Sequence, residues 1–68
     1  MDDFEEQELR QDLFRLKQEH RDLDDAIAAL HSNAAPDQLQ LKRLKKKKLI
    51  LRDNIIDIED NLFPDIIA

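Results

Sequence analysis

Six basic residues within seven positions, Lys42, Arg43, Lys45, Lys46, Lys47 and Lys48, are the densest chemical feature of this 68-residue chain. Such a cluster could neutralise the phosphates of a nucleic acid or the headgroups of an anionic membrane surface. At helical spacing the six point in nearly every direction, so they form no single stripe. No aromatic is interleaved with them for base stacking. The formal net charge is −5, and Asp22, Asp24 and Asp25 come within reach if the chain folds back on itself. A solvated, internally paired face is therefore the preferred reading, with nucleic-acid or anionic-surface contact through residues 42–52 as the alternative. Lys48 is expected to lay its stem along an apolar seam and send its ammonium outward.

The two histidines, His20 and His31, are three helical turns apart, which is no metal spacing. His20 could titrate as a switch or act as an interfacial ligand. The preferred reading makes it a polar seam residue that fixes register by pairing with Glu19 or with its own copy. His31 is placed to meet the negative end of a helix. Acid pairs such as Asp24 with Asp25 and Glu59 with Asp60 could serve acid–base chemistry only inside a pocket that shifts them. Two helices make no such pocket. With no Gly and no Cys, Gly-rich phosphate loops, thiolate metal sites and disulfides are excluded. An enzyme is not expected, nor a metal or a cofactor.

These side chains need elements to hold them, and the composition allows only helices. Charged residues are 40%, aromatics are three Phe, and the two prolines are Pro36 and Pro64. That suits long helices and not strands. The charge is blocked: residues 1–25 carry ten acids against four bases, residues 42–52 seven bases and no acid, residues 53–68 five acids and no base. Opposite blocks in one small domain attract each other first. No run reaches membrane-spanning length and the N-terminus is acidic, so a cytoplasmic protein without a signal peptide is expected.

Leu9, Leu13, Leu16, His20, Leu23, Ile27 and Leu30 step by four and three alternately, the a/d stripe of a coiled coil. Leu41, Leu44, Lys48, Leu51, Ile55, Ile58 and Leu62 form a second stripe. Between them lie Ser32 to Pro36. Asn33 could end a helix in the left-handed region, and Pro36 blocks its continuation. Asp37 with Gln40 resembles a capping box, and Pro36 as first helical residue is an equal start. Folded antiparallel, the stripes match pair by pair with residue numbers summing to 71, from Leu30 on Leu41 to Leu9 on Leu62. The hinge then falls beside Pro36. The expected fold is all-α: a two-helix hairpin over about 4–31 and 37–62, one domain spanning 1–68, with a frayed 1–3 and a short apolar tail at 64–68. Asp24 should lie near Lys45 and Arg52, and Arg10 and Lys17 near Glu59. The heptad phase runs unbroken through the loop, so a long helix kinked at Pro36 and paired with a second chain stays open.

Leu49, Ile56 and Phe63, seven residues apart, form a ridge outside the seam, with Ile50 near it and Phe14 on the first helix. An uncovered ridge of this kind marks an interface. A homo-oligomer is expected, most simply a dimer of hairpins in a four-helix bundle, with an unidentified protein partner as a further occupant.

The stretch EHRDLDDAIAAL, the polar loop with Pro36 and Asp37, and LKRLKKKKLILRDNI together resemble the YdcH-like small proteins of bacteria. The matching features are Glu19 and His20 ahead of Leu23 and Ile27, then Leu44, Lys45, Leu49, Leu51, Asp53 and Ile55. The likeness runs from Leu13 to about Ile58. It implies a helical coiled-coil hairpin and a bacterial source, and it implies no catalytic residues.

Overall fold

A computed structural model describes residues 1–64. The chain forms two helices, α1 over Asp3–His31 and α2 over Gln38–Leu62, packed as an antiparallel hairpin. The hairpin is a rod of 50 × 23 × 15 Å. The chain reverses at residues 32–37, which removes the single kinked helix as its shape.

Each helix starts on an aspartate. The Asp2 carboxylate accepts the Glu5 amide at 2.8 Å, and Asp3, Glu5 and Glu6 place negative charge at the positive end of α1. The terminus expected to fray is thus capped, and helix begins at Asp3. The Asp37 carboxylate accepts the amides of Leu39 and Gln40 at 3.0 and 3.1 Å. Asp37 is therefore the cap, Pro36 lies before it, and α2 begins at Gln38 instead of 37. Asn33 does not take the expected left-handed form; among the described residues none has positive φ. Ser32 closes α1 instead. Its backbone stays right-handed at φ −78°, its amide bonds Ala28 O, and its hydroxyl donates to Ala29 O at 2.7 Å. A hydroxyl thus does locally what a left-handed residue would do by backbone bonds. At the far end the Phe63 amide bonds Glu59 O at 2.8 Å, and Pro64 follows.

The core is thin. Leu13, Leu41 and Ile55 are the residues less than a tenth exposed among those described. All fourteen stripe positions, His20 and Lys48 included, are buried or half-buried. A two-layer element can cover only one stripe per helix, so most of what lies outside it is exposed, with Ala26, Glu59 and Phe63 among the half-buried exceptions. Of the short tail expected at 64–68, residues 65–68 lie outside the described ones.

A charged and apolar surface around helix two

Two ion pairs join the helices, and one of them sits at the seam. Lys48 of α2 turns its ammonium onto the Asp24 carboxylate of α1, and His20 Nδ1 lies 3.6 Å from the other oxygen of the same carboxylate. Asp24 therefore bridges the two polar members of the apolar stripes. The ammonium of Lys48, hydrogen-bonded to it, holds the Asp24 carboxyl below the usual carboxylate range; partial desolvation opposes this, and the charges of Lys48 and His20 reinforce it. Neither Lys45 nor Arg52 reaches Asp24 as expected, and His20 pairs one turn onward with Asp24, not with Glu19. Nearer the open end Lys17 Nζ meets Glu59 at 3.5 Å. Arg10 does not join Glu59. It bonds Glu6 at 3.0 Å and lies over the Phe63 ring, 5.7 Å from its centre.

The rest of the basic cluster behaves otherwise. Lys42, Arg43, Lys45, Lys46 and Lys47 are exposed, and none has a carboxylate within 4 Å among the described residues. The internally paired face expected for the cluster is limited to Lys48. Lys45 borders a depression with Ile27 of α1, and Lys47 one with Glu19, Asp22 and Leu23, so both flank the seam without an ion pair among the described residues, whereas Lys48 stands at a stripe position and meets Asp24 directly.

The apolar side chains outside the seam are split by the helix turn. Leu49 and Ile56, 53% and 42% exposed, follow one line along α2. Phe63 continues that line but is half-buried, because it folds toward α1 and shares a shallow depression with Arg10, Leu13, Phe14 and Lys17. Phe14, 74% exposed, carries the apolar surface onto α1. Ile50 is 52% exposed but, as the neighbour of Leu49, points ~100° away around the helix and does not extend the ridge. Phe4 and Leu39, at 67% and 59%, are also exposed and were not expected among the interface residues. Leu39 could have been found from its place two residues before Leu41 and off the stripe. Among the described residues no three metal-ligating side chains converge, and no helix is long and apolar enough to cross a membrane.

Neither the curated proteins nor the solved structures yield a match. A family model does match, described as a protein of unknown function, DUF465, and it covers residues 13–59. That span takes in both stripes except their outermost members Leu9 and Leu62, the Pro36–Asp37 turn and the basic cluster, and it coincides with the stretch that resembles the YdcH-like proteins, which are members of the same family. The chain belongs to the DUF465 family.

Proposed function

We propose that this hairpin is a non-catalytic interaction protein that self-associates through the outer flank of α2 and offers its charged surface to a protein partner. The observation that carries the reading is the exposed line Leu49 and Ile56, continued onto α1 through Phe63 and Phe14. Contiguous apolar surface on a small soluble domain is costly to leave wet, and covering it is the usual reason to keep it. Each hairpin has too little core to hide these side chains itself. The test is solution mass by light scattering behind a sizing column. The parent should run as a dimer or larger. Leu49→Asp with Ile56→Asp should give a monomer that keeps its helical circular dichroism. A double variant with the parent's mass would overturn the reading.

The unpaired lysines favour one second reading, contact with nucleic acid or an anionic surface. Binding of that kind weakens steeply as salt rises and would be lost when Lys45, Lys46 and Lys47 become Gln. No retention on DNA or RNA at low ionic strength would remove it.

A further inference from the structure

We propose that the second copy lies antiparallel along α2, about a two-fold axis beside Arg52 and Asp53. The inference rests on the self-association reading and adds its direction and register.

The first support is the charge pattern of α2. Residues 42–52 hold seven bases and no acid, while Asp53, Asp57, Glu59 and Asp60 make the following stretch purely acidic. Two such helices laid parallel and in register set lysine against lysine and acid against acid. Laid antiparallel, the basic half of each meets the acidic half of the other. Complementary charge of this kind selects orientation more than it adds affinity.

The second support is that the apolar ridge chooses the same register. In an antiparallel pair, facing residues have a constant sum. A sum of 105 sets Leu49 of one copy on Ile56 of the other, twice over. On that register Lys45 and Lys46 fall opposite Glu59 and Asp60 of the second copy. One heptad to either side, the ridge residues also align, but the charges do not. A sum of 98 puts Lys46 opposite Arg52, and a sum of 112 puts Asp53 opposite Glu59. The register of 105 is the one that satisfies both patterns.

The third support lies at the end of the ridge. Phe63, whose ring lies under Arg10 at 5.7 Å, borders a depression with Ile56, Glu59 and Asp60, so it closes the end of the ridge beside the acids that meet the second copy's lysines. Phe14 shares a depression with Phe63, so α1 borders the same contact, as a four-helix assembly requires. Arg52 and Asp53 lie at the axis, where each has its own copy and an opposite charge within reach.

The absence of Cys makes a direct test simple. Arg52→Cys, Asp53→Cys and Lys45→Cys are each treated with a short bis-maleimide and run on a denaturing gel. The axis variants should form covalent dimers. Lys45→Cys should not, because in the antiparallel pair position 45 faces position 60, fifteen residues or ~22 Å along the helix from its own copy. Efficient cross-linking at position 45, or none at either axis position, overturns the proposal. Light scattering on the same variants before cross-linking separates the two readings. A dimer with the wrong cross-links overturns the register alone, and a monomer overturns both.

Discussion

Asp24 is the residue on which the seam's polar contacts converge. It takes the Lys48 ammonium from across the interface and the His20 ring from one turn before it. Its carboxyl is held below the ordinary value in the folded chain, chiefly by the Lys48 hydrogen bond. A depressed folded value means the unfolded state takes up the proton first as pH falls. The contribution is therefore fully present above the unfolded carboxylate range and is lost as pH drops through the folded value. Both sides of the pair are partly exposed, so solvent screens it. Asp24→Asn should flatten this part of the acid limb: its urea stability should change less than the parent's between about pH 5 and about pH 2. Equal slopes in the two proteins would show that the bridge carries no linkage. The sequence placed Asp24 beside the basic block but chose Lys45 and Arg52 as its neighbours, where the structure pairs it with Lys48. Four consecutive lysines, Lys45 to Lys48, differ in sequence only by position, and side-chain reach decides among them.

At the scale of the element, the helices were largely legible because two periodic stripes, Pro36 and Asp37 all point to the same turn, while α1 starts at Asp3 on its Asp2 cap, inside the stretch expected to fray. The stripes fixed which face of each helix turns inward, and the summed numbers fixed the turn. What could not be read was the end of α1. Asn33 and Ser32 both offer a way to finish a helix without Gly, and the choice rests on local geometry that no periodic pattern encodes. The outer surface was also only partly legible. Spacing put Phe63 on the ridge, where it does share a depression with Ile56, but could not show that its ring also lies under Arg10 of α1. The two caps offer a comparison internal to the molecule. Asp37 starts a helix inside the fold, whereas Asp2 starts one at the chain end, where the first turn can melt without disturbing the seam. Asp37→Ala should cost about 1 kcal/mol in urea unfolding, in the range usual for a lost cap, and Asp2→Ala clearly less. Equal costs would mean that the first turn of α1 is bound into the cooperative unit as firmly as the turn.

For the whole molecule the question is whether one hairpin suffices. Two helices of 29 and 25 residues place fourteen positions at their seam, and three described residues are less than a tenth exposed. Isolated helices of this length gain most of their stability from packing, not from propensity. Phe14, Leu49 and Ile56 meanwhile remain more exposed than covered or nearly so, at 74, 53 and 42%. Covering them in a dimer adds the apolar burial that the single hairpin lacks, at ~25 cal/mol for each Å² removed from water. Folding and association are then coupled, and mass action ties stability to concentration. The melting temperature of the parent should rise with protein concentration across a hundredfold range. The Leu49→Asp, Ile56→Asp variant should melt lower and show no such dependence. A parent whose melting temperature ignores concentration, at values where light scattering shows a mixture of monomer and dimer, would mean that the hairpin folds fully alone. The ridge would then add affinity for a partner without adding to the fold, and the charged face of α2 would be free to serve either.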